Sequence, residues 1–181
     1  MIDILKKFVD VYKKTDYLLG IPEFSEKCIE INSQFLNGEL LEYYQHIDFK
    51  EKCYFGNEYF CLVLMPYLSK GTTSEDWALQ DFEEFSRQEY IIFASTDIDE
   101  IIFCDMKSKN SPVYGGVPGD STFYKLSDSL TEFVQLYITL TELQLENEFE
   151  DDFEFKERGI PLVDKYISPS AQETCKAFIF H

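Results

Sequence analysis

Ile4, Leu5, Phe8, Val11 and Tyr12 recur at three- and four-residue intervals, so residues 2–19 predict an amphipathic helix stopped by Gly20-Ile21-Pro22. Residues 25–36 carry no single period. "GELLEYYQHI" (38–47) returns to helical spacing, with Leu40, Leu41, Tyr44 and Ile47 inward. "CYFGNEYFCLVLMP" (53–66) reads as two strand pieces around a Gly-Asn turn, ended by Pro66. "GTTSEDWALQDFEEF" (71–85) places a capping signal before Trp77, Ala78, Phe82 and Phe85 and predicts a short helix.

The strongest β signal follows. "EYIIFAS" and "EIIFCDM" are apolar, β-branched runs joined by the polar "TDID". "SPVYGG" (111–116) and "STFYKLS" (121–127) come next across a Pro/Gly/Asp turn, and consecutive strands at such short spacing predict an antiparallel meander. Ser129 and Glu132 then form a capping box before a stripe of Leu130, Phe133, Val134, Tyr137, Ile138 and Leu145. In a further helical segment Phe149 and Phe153 stand four apart on one face, and the expected stop is "KERGIP", at Gly159 and Pro161. "SPSAQETCKAFIF" predicts a last helix capped by Ser168, with Pro169 in its first turn. The order of elements describes one α+β domain over residues 1–181, with a helical C-terminal extension over 146–181.

Composition narrows the partners. The chain has 181 residues, 45% hydrophobic and 17% aromatic. That length can bury about 70% of the unfolded surface, so neither disulfide nor metal is needed to hold a core. The net charge of −18 argues against nucleic acid and anionic membrane as partners and favours a basic protein. Charge is uneven. Residues 126–157 hold ten acids and one lysine, a net of −9, and "ENEFEDDFEFKE" (146–157) alone holds seven acids. Residues 2–19, with four lysines and three aspartates, are the least acidic part. Cys28, Cys53, Cys61, Cys104 and Cys175 form no CxxC pair and read as free thiols of a reducing cytoplasm. "MIDILKKFVD" lacks the apolar core of a signal peptide, and no apolar run approaches a membrane span.

Candidate chemistry is sparse. His46 and His181 are the only histidines, which leaves little material for a Ser-His or Cys-His pair, and no zinc spacing or phosphate-binding glycine loop occurs. "STDIDE" (95–100) offers Asp97, Asp99 and Glu100, with Asp105 on the next strand. It reads either as a polar hairpin turn or as a carboxylate set for a divalent cation, although it lacks the glycine and distant Glu of an EF-hand. Residues 146–157 read either as a solvated helix face or as a docking surface for a cationic partner.

The block from "YIIFAS" to "LTEFVQL" resembles the SUKH superfamily, which includes a yeast cell-wall regulator tied to killer-toxin resistance and many bacterial immunity proteins. The resemblance rests on Ile101–Asp105, Pro112-Val113-Tyr114, Phe123–Leu126 and Ser129-Leu130-Thr131-Glu132-Phe133, with "GIPEF" and "FLNGEL" upstream. It covers residues 20–140 in element order and 90–134 in residue detail. It implies a twisted antiparallel β-sheet flanked by helices. It also implies an immunity protein that neutralises a cognate bacterial toxin by binding, without catalysis, metal or cofactor. A basic toxin, such as a nuclease, would suit the acidic balance. Contact residues would come from Asp97, Asp99, Glu100, Asp105 and Tyr114 in the resembling block, and from Glu150, Asp151 and Glu154 beyond it. A regulatory module in host signalling, and a metal-dependent hydrolase using Asp97, Asp99 or Asp105, are the alternatives.

Overall fold

A computed structural model of the chain describes residues 1–15, 19–32, 34–56, 59–69, 72, 77, 89–118 and 123–180. Among them are helices α1 (Ile2–Tyr12), α2 (Gly38–His46), α3 (Leu130–Glu146), α4 (Asp152–Tyr166) and α5 (Gln172–Ile179). The strands are β1 (Pro22–Phe24), β2 (Ile47–Phe49), β3 (Cys53–Phe55), β4 (Leu62–Leu64), β5 (Tyr90–Thr96), β6 (Ile101–Asp105), β7 (Val113–Gly116) and β8 (Phe123–Ser127). β1 and β2 form a small antiparallel pair. The other six strands form one antiparallel sheet in the order β3-β4-β5-β6-β7-β8, a pure meander. The fold is α+β, with helices closing the C-terminal end of the chain.

The central strands are apolar on successive residues because both faces of the sheet are covered. Ile91, Phe93, Ile102 and Cys104 face the main core, where Phe8 of α1, Tyr43 of α2, Phe55 of β3 and Phe133 and Tyr137 of α3 meet. Phe8 stacks on Phe55 at 4.5 Å, and Phe93 meets Phe133 edge-on at 6.0 Å. Ile92, Ile101 and Phe103 point the other way, into a smaller cluster with Met65 that Trp77, Tyr90, Tyr114 and Phe123 border.

Local chemistry explains most element ends, including those that differ from the expectation. α1 stops at Tyr12. The Thr15 hydroxyl donates to the Tyr12 carbonyl at 2.8 Å, competing with the helical ladder, and the Tyr12 hydroxyl reaches the carbonyls of Leu19 and Gly20. The helix predicted over 71–85 lies outside the described residues apart from Thr72 and Trp77. Ser129 caps α3 as expected, its Oγ accepting from Glu132 N–H at 3.1 Å. The Glu132 carboxylate does not close the box on Ser129. It accepts from Asp128 N–H and from both the N–H and the hydroxyl of Ser168, binding the start of α3 to the α4–α5 connection. Ser168 is therefore engaged elsewhere, and α5 begins four residues later, at Gln172.

α4 departs furthest from its predicted form. It runs through Gly159 and Pro161 to Tyr166 instead of stopping there. Gly159 marks a close approach. A Cβ at that position would lie 2.5 Å from Phe180 Cζ and 3.3 Å from Leu140 Cδ2. α4 also starts only at Asp152, which leaves Phe149 outside the helix. The buried positions are then Phe155, Gly159 and Val163, spaced by four, while Phe153 points outward and is 65% exposed. The expected Phe149/Phe153 face is replaced by Phe155, with Phe149 packing on it from the preceding loop.

Candidate interaction surface

The residues named from sequence separate into three groups. Glu100, Asp105, Tyr114, Asp151 and Glu154 are occupied by structure. Glu100 is 6% exposed; its N–H donates to Thr96 Oγ1 at 3.1 Å and its carboxylate accepts from the same hydroxyl at 3.3 Å, locking the β5–β6 turn. Asp105 accepts from the N–H groups of Lys107 and Ser108 and so shapes the β6–β7 connection. Tyr114 stacks on Phe103 at 5.6 Å in the second-face cluster, and burial raises its phenol pKa. Asp151 is the N-cap of α4, accepting from Glu154 N–H at 2.9 Å, while the Glu154 carboxylate accepts from Glu150 N–H at 3.1 Å. α3 uses the same arrangement at Ser129, Glu132 and Asp128, so this capping pattern occurs twice.

Asp97 and Asp99 form the second group. They lie exposed in the β5–β6 turn on either side of Ile98, which is 62% exposed, and Asp99 adopts a positive φ of 64° that turn geometry requires. Asp105 stands at the other end of β6, four residue steps or about 13 Å from Ile101. The structure therefore does not bring Asp97, Asp99 and Asp105 to one point. Among the described residues no group of three or more His, Cys, Asp or Glu is placed to hold a metal ion.

The third group is the exposed acidic rim of α4. Glu146, Glu148, Glu150, Asp152 and Glu157 are all exposed. Of these only Asp152 lines the groove at the start of α4, whose neighbourhood holds four aromatic rings. Tyr59 stacks on Phe155 at 5.0 Å with an interplanar angle of 22°. Phe149 meets both rings edge-on at 5.5 Å, and Phe155 leans on Phe180 at 5.8 Å. The Tyr59 hydroxyl donates to the Phe149 carbonyl at 3.3 Å, and Arg158 covers Phe149, 5.2 Å from the ring centre, while donating to Asn147 at 2.7 Å. Lys156 ties the rim to the end of α5 by donating to the Phe180 carbonyl at 2.8 Å. Between these parts opens a groove of about 270 Å³ lined by Tyr59, Asp152, Phe153, Phe155, Lys156 and Phe180. That volume lies below the usual range for drug-sized ligands, about 300–1,000 Å³, and suits one inserted side chain.

These two acidic regions flank one turn. Asp97 is near enough to Cys61 for its charge to add to burial in pushing that thiol up to about 11. Cys61 is two residues from Tyr59, in the β3–β4 connection. Tyr137 of α3 fixes this connection from beneath. Its Oη accepts from Leu62 N–H at 3.1 Å and donates to the Phe60 carbonyl at 2.9 Å, with the Phe55 carbonyl also in contact. Gly56, at φ 109°, leaves room for that hydroxyl, since a Cβ there would sit 2.5 Å from Tyr137 Oη. The Asp97-Ile98-Asp99 tip and the Phe153 groove thus border the same part of the molecule, each pairing carboxylates with one exposed apolar side chain. The sequence reading placed acids at both regions. It missed the groove, because Tyr59, Phe155 and Phe180 come from three separated segments.

No helix among the described residues is long and apolar enough to cross a membrane. Comparison with family models, with curated proteins and with solved structures returned no match.

Proposed function

We propose that this chain is an inhibitory binding protein of the immunity type, which neutralises a basic toxin protein by covering it. The observation that carries this reading is the α4 groove, where exposed Phe153 stands with Asp152 and Lys156 beside the rings of Tyr59, Phe155 and Phe180, in a segment whose Glu148, Glu150 and Glu157 are also exposed. An exposed aromatic beside a pocket is the kind of feature that concentrates binding energy at interfaces. The acidic rim supplies charge complementarity, which raises association rates and selects basic partners. A lysine or arginine of the partner resting on the Phe153 ring would add a cation–π contact of about 0.5–2 kcal/mol. The resemblance of residues 90–134 to the SUKH superfamily supports the same reading, and the −18 balance is consistent with a nuclease-like partner.

Co-expression with the toxin encoded in the adjacent reading frame tests the proposal. The expected result is restored growth and a complex on size exclusion, formed more slowly as salt rises. Continued growth arrest with no complex would overturn it.

A further inference from the structure

One nucleophile–base pair lies away from the acidic surface. The β1–β2 register sets Phe24 against Ile47, and the chain stays paired beyond it. Ser25 N–H donates to the His46 carbonyl at 2.8 Å, and Ile29 N–H to the Gln45 carbonyl at 2.8 Å. This brings Cys28 beside His46, with Sγ 3.7 Å from Nε2. His46 Nδ1 lies 2.8 Å from the Ser25 carbonyl. A carbonyl can only accept, so Nδ1 carries the proton and Nε2 presents its lone pair to the thiol. The ring is buried, 8% exposed, and held flat against Phe24 at 5.6 Å and 11°. Nucleophile, base and the group that orients the base are thus all present.

Cys28 is exposed, whereas Cys53, Cys61, Cys104 and Cys175 are buried. Burial pushes Cys53 and Cys175 up to about 12 and Cys61 up to about 11, so these thiols stay protonated and closed off. Charged groups of both signs stand around the pair. Lys6 of α1 is ion-paired to Glu26 at 2.9 Å and sits 5.1 Å from the Phe24 ring centre. Lys27 adjoins Cys28 in the chain, and Glu42 lies one helical turn before His46. An open groove of mixed charge, lined by Lys6, Val9, Asp10, Lys13, Glu23 and Phe24, borders the same ring, and Glu23 is ion-paired to Lys50 at 3.4 Å.

We infer that Cys28, served by His46, is a site of reversible thiol modification by low-molecular-weight disulfides. Cys28 gives its proton to His46 Nε2, and the sulfur attacks one sulfur of the disulfide. A new S–S bond to Cys28 forms as the bond within the reagent breaks, and the departing thiolate takes the proton from the imidazolium to leave as a thiol. No other oxidant is consumed, and a thiol reverses the step.

The test uses the intact chain and oxidised glutathione, with adducts located by mass spectrometry. A single mixed disulfide on Cys28 is expected. His46→Asn keeps a donor for the Ser25 carbonyl but removes Nε2, and should slow the reaction at least about fivefold at pH 7. The unaltered chain gives a check free of folding effects. Cys28 in the folded chain should react at least about fivefold faster than the same cysteine in a short peptide of residues 26–30 at pH 7. First reaction at a buried cysteine, or a rate no faster than the peptide's, would overturn the inference, as would an unchanged rate in a folded His46→Asn chain.

Discussion

Truncating Phe155 and Phe153 to alanine, one at a time, separates the buried ring from the exposed one at the start of α4. Phe155 is 3% exposed and touches Tyr59, Phe149 and Phe180, so its loss opens a cavity beneath the groove. Such a truncation costs about 3–5 kcal/mol. For a chain of this size about 4 kcal/mol corresponds to a thermal midpoint about 8–16 °C lower. Phe153 is 65% exposed, and its removal should change stability by no more than about 0.5 kcal/mol. Urea unfolding followed by far-ultraviolet circular dichroism measures both. If Phe153→Ala cost as much as Phe155→Ala, α4 would have to begin earlier and bury Phe149 and Phe153 on one face. The groove, and the surface built on it, would then not exist.

Three further outcomes are expected. Tyr137→Phe leaves Leu62 N–H and the Phe60 carbonyl buried without their partner, and should cost about 2–4 kcal/mol in urea unfolding; a neutral result would remove Tyr137 as the support of the β3–β4 turn. Gly159→Ala gains about 1 kcal/mol of helix propensity but presses Cβ into Phe180, at a cost of about 1–3 kcal/mol, so net destabilisation is expected and net stabilisation would contradict the close α4–α5 packing. The buried thiols also set an alkaline limit. Folding raises Cys61 from 9.0 to about 11 and Cys53 and Cys175 from 9.0 to about 12, so their contribution is intact below pH 9 and is lost as pH rises towards 11–12, at about 1.4 kcal/mol per unit for each thiol. The urea midpoint should fall between pH 9 and 10.5, less steeply in Cys175→Ala; an identical slope in that variant would deny Cys175 this role.

The sheet was legible because its strands are local. β5 and β6 are joined by four residues, and their β-branched runs and polar turn carry the pairing in adjacent sequence. The α3 cap was legible for the same reason, since Ser129 and Glu132 are three residues apart. What escaped depended on tertiary partners. Gly159 and Pro161 look like a helix stop in isolation, but Phe180 and Leu140 require a small residue there and the helix continues. Phe149 and Phe153 share a face only if the helix includes both, and the Asp151 cap starts it too late for that. Asp151 and Glu154 looked like free charge and instead form the cap, so reversing them would test helix stability together with binding. The Cys28–His46 pair was invisible because its members are 18 positions apart, one in a stretch with no single period and the other at the end of a helix, and only the β1–β2 register closes the distance.

The central claim is that the exposed part of the α4 surface holds the partner. The most direct measurement is the dissociation constant for the protein encoded in the adjacent reading frame, the toxin if the proposal holds, comparing the unaltered chain with Phe153→Ala and with Glu150, Asp152 and Glu157 reversed to lysine. None of these changes touches the Asp151–Glu154 cap through a side chain. The account predicts that Phe153→Ala costs about 2 kcal/mol or more, a weakening of about 30-fold, and that the reversals slow association most at low salt. Unchanged affinity and unchanged association rate in both folded variants would contradict it.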